Sequence, residues 1–121
     1  MLNWDETDVL SALEVIPEEG EHGIYHQYTV LKGGLILKLT ICQYDGDVFF
    51  ELFQDGVETP IFKMNLFDCD GVQRQIDEFG EYLQFAPAQC FRGRYDGELS
   101  VPYGVRLSIH PHISIKPYCK L

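Results

Sequence analysis

The chain is poor in basic residues and contains no long apolar segment. Its 121 residues include 19 Asp and Glu but only 9 Lys and Arg, which gives a formal net charge of −10. The longest purely aliphatic run is Leu-Ile-Leu at residues 35–37, whereas a transmembrane helix needs about 20 apolar residues. Residues 1–6 have neither a basic region nor an apolar run, so we expect no signal peptide. These absences predict a cytoplasmic protein that binds neither membrane nor nucleic acid, because an acidic surface repels both.

The acidic residues are concentrated in the first two thirds of the chain. Residues 1–81 hold 17 acidic and 4 basic residues, whereas residues 82–121 hold 2 acidic and 5 basic ones. Residues 1–31 contain 7 Asp and Glu and no Lys or Arg. Such a surface attracts a basic protein partner through long-range electrostatics. The alternative is that the acidity only maintains solubility.

Cysteine pairs and catalytic motifs are also missing. The four cysteines are widely spaced and form no C-x-x-C pair (Cys42, Cys69, Cys90 and Cys119), so we predict free thiols in a reducing compartment. The sequence contains no G-x-G-x-x-G, P-loop, G-x-S-x-G or H-E-x-x-H motif. No sequence neighbour of Cys69 or Cys90 marks either one as an activated nucleophile. We therefore predict that the protein is not an enzyme and binds no cofactor.

The first segment has the spacing of an amphipathic helix. Three apolar residues recur at i, i+4 and i+7, namely Val9, Leu13 and Ile16. This spacing places them on one helical face. Asn3 or Asp5 is the expected N-cap, and Pro17 is expected to end the helix. The polar residues 18–23 then predict a loop.

From residue 24 onwards, apolar residues alternate with polar ones, which is the period of β-strands. The predicted strands cover residues 24–31, 35–42, 48–53, 60–67 and 81–85. Asp45-Gly46 and Asp55-Gly56 predict tight hairpin turns, because glycine readily adopts positive φ. Residues 72–80 fit either a short helix or two strands, and we favour strands.

The predicted fold is α+β, with an N-terminal helix packed on a mainly antiparallel sheet of about six or seven strands. The sheet is rich in meander connections, because short turns join consecutive strands. A chain of 121 residues has the size of one domain. Residues 1–121 are therefore predicted to form a single globular domain.

Two histidines flank a proline near the end of the chain, at His110-Pro111-His112. Residues 105–117 alternate without interruption, so the two imidazoles are predicted to share one face of a strand. A His-x-His pair can chelate a metal, but zinc requires three or four protein ligands. Arg106 and Lys116 are in the same phase of the alternation and would repel a cation. We therefore favour an edge strand whose proline and charges block aggregation, and we predict no bound metal.

Two further segments combine charged residues in patterns that are associated with binding. Residues 68–71, Asp-Cys-Asp-Gly, resemble the start of a calcium loop, but the third acidic ligand and the terminal glutamate are absent. A polar turn is predicted there. In the loop at residues 92–97, Arg92, Arg94 and Tyr95 are residue types favoured at protein interfaces. The alternative is that these arginines only pair with acidic residues of the fold.

These observations favour a small acidic cytosolic binding protein over an enzyme. Its most specific form is an immunity-type inhibitor of a basic toxin, which we infer by analogy from size and charge. The predicted protein-binding residues are Glu14, Glu18, Glu19, Glu21, Arg92, Arg94 and Tyr95. Two alternatives remain open. One is a small metal- or ligand-binding domain centred on His110 and His112, and the other is an accessory domain of a larger assembly in which the acidity has no specific role.

Overall fold

A computed structural model describes residues 1–78, 80–86 and 103–119. The helix α1 spans Glu6–Leu13 and is capped by Asp5, whose side chain accepts a hydrogen bond from the Thr7 amide at 2.8 Å. The helix ends at Glu14, which adopts the left-handed conformation with φ 60°. Its last helical residue, Leu13, therefore lies four residues before Pro17, and the predicted extension to Ile16 is wrong. Ile16 is 86% exposed instead of packing on the helical face.

Nine strands follow α1 among the described residues. Their bounds are β1 Glu18–Glu19, β2 His26–Lys32, β3 Leu35–Cys42, β4 Asp47–Gln54, β5 Phe62–Leu66, β6 Gly71–Asp77, β7 Gly80–Ala86, β8 Tyr103–Ser108 and β9 Ser114–Cys119. A short 3₁₀ turn, Glu21–Gly23, separates β1 from β2. Every strand pairs antiparallel with its sequence neighbour within its own sheet.

The strands form two sheets and not the predicted single sheet of six or seven strands. Strands β1 to β5 form the first sheet and β6 to β9 the second, each in sequence order. The split occurs at residues 67–70, because the amide of Cys69 donates to the carbonyl of Gly46 at 2.8 Å instead of continuing the meander. Gly46 has φ 79°, and a Cβ there would lie 2.8 Å from the Cys69 carbonyl oxygen. The Asp45-Gly46 turn thus provides close backbone contact between the sheets as well as a hairpin.

Residues 71–86 confirm the strand interpretation. β6 and β7 pair with each other, and Val72 lies opposite Phe85. By contrast, the continuous strand predicted for residues 105–117 is wrong. β8 and β9 form a hairpin, and residues 110–112 make the bend between them. Pro111 has no amide hydrogen for a ladder. The alternation nevertheless persists in the sequence because Ile109 and Ile113, on either side of the bend, are both buried.

One hydrophobic cluster unites α1 and the two sheets. Phe50 of the first sheet contacts Phe85 of the second edge-to-face, with ring centroids 4.9 Å apart. Val9 and Leu13 add the buried face of α1, which lies against β6 and β7. None of the described helices is long and apolar enough to cross a membrane. Cys42 and Cys69 are not joined in a disulfide, and Cys90 lies outside the described residues.

Candidate protein-binding surface

Two glutamate side chains and one histidine side chain converge where α1, β1 and β2 meet. Glu6 lies in the first turn of α1, Glu19 in β1 and His26 at the start of β2. The Nε2 atom of His26 lies 2.5 Å from Oε1 of Glu6 and 3.2 Å from Oε1 of Glu19. The His26 side chain is only 3% exposed, whereas the two glutamate side chains are 59% and 56% exposed. A buried ring therefore orients two carboxylates that face solvent.

The position of His26 is fixed by strand pairing and by the N-terminal segment. His26 pairs with Ile41 on one side and Glu19 on the other. The ring of Trp4 packs edge-on against the imidazole at 5.0 Å. The Nδ1 atom of His26 is buried and has no hydrogen-bond partner among the described residues. This arrangement assigns a hydrogen to Nε2, which donates to the carboxylates.

An open cleft of about 200 Å³ adjoins these carboxylates. We call it the α1–β1 cleft, and its lining residues are Glu6, Thr7, Leu10, Ile16, Pro17, Glu19 and Tyr28. Its aliphatic side includes the highly exposed Ile16 and Leu10, which is 42% exposed. Burial, together with the negative charges of Glu6 and Glu19, raises the pKa of Tyr28 to about 12. The cleft therefore combines apolar surface with a negative electrostatic potential.

The predicted glutamates divide between two places. Glu18 and Glu21 are exposed in β1 and in the adjoining 3₁₀ turn, so they extend the carboxylate pair into what we call the acidic surface: Glu6, Glu18, Glu19 and Glu21. Glu14 lies at the other end of α1, where its Oε1 is 3.1 Å from Nε2 of His110. Arg92, Arg94 and Tyr95 lie outside the described residues.

Among the described residues, His110 and His112 belong to no group of three potential metal ligands. Nδ1 of His110 lies 2.6 Å from Nζ of Lys32, and His112 is exposed at the bend. In the described part of the chain, the one group of three potential metal ligands is Glu6, Glu19 and His26. A metal-bound histidine usually donates its other N–H to an acceptor, and Nδ1 of His26 has none among the described residues. This donor set is thus better suited to hydrogen bonding than to metal binding.

A second cleft, of about 240 Å³, lies on the outer face of the second sheet. Arg106 stacks there between Tyr82, at 5.1 Å, and Tyr118, at 4.3 Å. Burial raises the pKa of Tyr82, the positive charge of Arg106 opposes that increase, and Asp77 adds to it. Lys116 also lines this cleft, together with the acidic Asp77 and Glu81. Acidic and basic groups balance, so this cleft favours no single charge of ligand.

Exposed apolar side chains form a third feature, on the outer face of the first sheet. The exposed Leu31 stands in one cross-strand row with the half-buried Ile36 and Phe53. Val57 and Ile61 are exposed near the end of the row. Exposed apolar groups of this kind are typical of protein contact surfaces. The charged neighbours Lys38 and Glu51 are of opposite sign, so the patch does not specify the charge of a partner.

The sequence pointed to Glu18, Glu19 and Glu21 through charge alone, but it did not identify Glu6, His26 or Ile16 as parts of the same surface. The sequence gives no indication of β1, because this strand has only two residues. Two consecutive glutamates have no alternating pattern, so nothing in the sequence indicates that Glu19 stands opposite His26. The early helix end, which exposes Ile16, depends on the left-handed Glu14, a conformation that few non-glycine residues adopt.

Comparisons with known proteins bear mainly on the fold. No family model and no curated protein matches the chain. A solved structure matches with a TM-score of 0.75 and 18% sequence identity, covering 97% of this chain and 96% of that chain. That structure is described as a contact-dependent growth inhibition toxin–immunity protein complex from Klebsiella pneumoniae 342. At this identity the similarity shows that the two chains share a fold over nearly their whole lengths.

Proposed function

We propose that this protein is an immunity-type inhibitor, which binds a basic toxin and neutralises it by direct contact. The proposal is supported by the fold shared with a chain of a toxin–immunity complex over almost the full length of both chains. That description names two roles, toxin and immunity protein. The net charge of −10 and the exposed carboxylates favour the immunity role, because they complement a basic partner.

The observation that carries the proposal is the carboxylate pair oriented by the buried His26. Glu6 and Glu19 are more than half exposed, yet one imidazole nitrogen holds both. Ordered side chains lose less entropy on binding than freely rotating ones. Beside them, Ile16 and Leu10 offer exposed aliphatic surface. Apolar contacts at the centre and charged groups at the rim are the usual composition of a protein interface.

The remaining predicted contacts have different positions in the proposal. Glu18 and Glu21 belong to the acidic surface and would steer the partner as it approaches. Glu14 lies at the opposite end of α1 and pairs with His110, so we assign it a peripheral role. Arg92, Arg94 and Tyr95 remain predicted contacts outside the described residues. The cytoplasm remains the predicted compartment.

The test uses a basic toxin domain, sought among the genes adjacent to the one for this chain. Coexpression should restore growth of cells that make the toxin, and the purified proteins should associate in surface plasmon resonance. We expect association to slow as salt rises from about 50 to about 500 mM. Exposed charges are screened beyond about 10 Å at 0.1 M, and beyond shorter distances at higher salt. The double variant Glu18→Lys/Glu21→Lys should slow association about tenfold. Its control is Glu58→Lys, a charge reversal in the β4–β5 loop. Association that ignores both salt and the double reversal would refute an acidic interface.

A further inference from the structure

We propose that the α1–β1 cleft recognises an arginine side chain of the partner protein. The inference rests on the proposed function for the identity of the partner, but the binding chemistry is a property of the cleft itself. It names the chemical group, a guanidinium, that the cleft would bind, whereas the negative charge alone would fit any cation. Three features of the cleft favour arginine: its uncompensated charge, its aliphatic wall and the geometry of its carboxylates.

The charge in the cleft is not balanced from within the described structure. The potential ligand atoms of Glu6, Glu19 and His26 all lie within 4.8 Å of one another. Among the described residues, no lysine or arginine forms an ion pair with either glutamate. One imidazole carries at most one positive charge, so at least one carboxylate stays uncompensated. A cation from another molecule would therefore gain Coulomb energy at this point.

The aliphatic wall suits a long side chain that ends in a cation. Leu10, Ile16 and Pro17 line the cleft beside the carboxylates. Arginine and lysine bury their methylene stems on apolar surface while the charged end reaches polar groups. Ile16, 86% exposed in this structure, would lose water contact when such a stem lies on it. The cleft thus offers a gain from apolar burial as well as from charge.

The placement of the carboxylates favours arginine over lysine. Glu6 and Glu19 approach from two elements, and each contacts His26 through Oε1. A planar guanidinium has five N–H donors in a fixed fork and can bond two carboxylates at once. It is also more weakly hydrated than an ammonium group, so it loses less hydration free energy on entering a partly apolar cleft. A volume of about 200 Å³ leaves room for one such side chain.

The test is an NMR titration of the intact protein with acetyl-Gly-Arg-Gly-amide, followed through the methyl signals of Leu10 and Ile16. We expect saturable chemical-shift changes with a dissociation constant in the millimolar range. The matching lysine peptide should bind at least about threefold more weakly, and the neutral citrulline peptide should cause no shift. Glu6→Gln and Glu19→Gln should each weaken arginine binding about fivefold, since hydrogen bonds to charged groups are the stronger ones. Both variants keep an oxygen that can accept the His26 Nε2–H. Glu58→Gln, which removes the same charge elsewhere, should change nothing.

Several outcomes would overturn the inference. Equal binding of the lysine and arginine peptides removes the assignment to arginine, and unchanged binding in Glu19→Gln removes the cleft as its location. Amide spectra of each variant show whether the fold is intact. Different results test the proposed function and the arginine site. Arginine binding in the cleft without toxin neutralisation would contradict the immunity role alone. Neutralisation without peptide binding would contradict the cleft alone.

Discussion

Glu19 stands directly opposite His26 in the β1–β2 pair, and its carboxylate oxygen lies 3.2 Å from the imidazole Nε2. A strand of two residues has few ladder hydrogen bonds to hold it. The side-chain contact therefore stabilises an element that backbone pairing alone supports weakly. Because Glu6 of α1 contacts the same nitrogen, one buried ring connects the helix with the edge of the first sheet.

Replacing His26 with glutamine should destabilise the fold. The change removes the contact with Trp4 and the shared hydrogen bonds from a buried site, so we expect a loss of about 2 kcal/mol in the free energy of unfolding. Urea denaturation measures it. The control is His112→Gln, an exposed position at the β8–β9 bend, where the change should stay within about 0.5 kcal/mol. Equal stabilities of the two variants would show that His26 has no anchoring role.

Zinc should not act through the histidines at the β8–β9 bend. His110 already lies between Lys32 and Glu14, and the ammonium group of Lys32 repels a metal ion. The melting temperature of the wild type should therefore respond to zinc in the same way as that of His110→Gln/His112→Gln. A ligand bound only to the native state would raise it by mass action. A zinc-dependent rise that disappears in the double variant would restore the metal-binding alternative.

The phenol of Tyr28 should make stability fall at alkaline pH. Its pKa rises from 10.0 to about 12 in the folded state, so the folded protein holds this proton more tightly than the unfolded chain does. The resulting stabilisation is complete below pH 10 and is lost as pH rises towards 12. Between pH 8 and 11 the wild type should lose about 1 kcal/mol more than Tyr28→Phe, which cannot ionise. Unfolding in urea at several pH values measures the difference. Parallel pH profiles would contradict the raised pKa.

Gly46 and Gly56 allow a clash to be separated from backbone strain. Both have positive φ, 79° and 84°, but a Cβ at Gly46 meets the Cys69 carbonyl oxygen at 2.8 Å, whereas one at Gly56 has no atom within 4 Å. Gly46→Ala should therefore destabilise the protein by about 1–2 kcal/mol more than Gly56→Ala. Thermal and urea denaturation measure both variants. Equal losses would mean that the turn does not hold the sheets together.

Local features of the fold could be predicted because their causes are local. The Asp45-Gly46 pair and period-two alternation identified the hairpins, and Asp5 was among the expected helix caps. The split into two sheets could not be predicted, since it depends on the Gly46–Cys69 contact between residues distant in sequence. The β8–β9 bend was missed because Ile109 and Ile113 preserve the alternation across it.

The candidate site was predicted only in part, for a related reason. Acidic composition was enough to select Glu18, Glu19 and Glu21, because net charge does not depend on the fold. It also selected Glu14, which the structure places at the other end of α1 beside His110. The central histidine was not selected. Burial and strand register give His26 its role, and neither can be read from one histidine in a sequence.

The division of the chain into two successive sheets also separates charge in space. Residues 1–66, which form α1 and the first sheet, contain 12 acidic and 3 basic residues, whereas the described residues between 71 and 119 contain 3 of each. The described part of the molecule therefore has an uneven charge distribution, with its negative end on the side of the first sheet. The field of a positively charged protein exerts a torque on such a charge distribution and turns the acidic surface towards the partner before contact. With the proposed basic partner, fewer collisions would then occur in the wrong orientation, so the order of strands along the chain would shorten the rotational search for a complex.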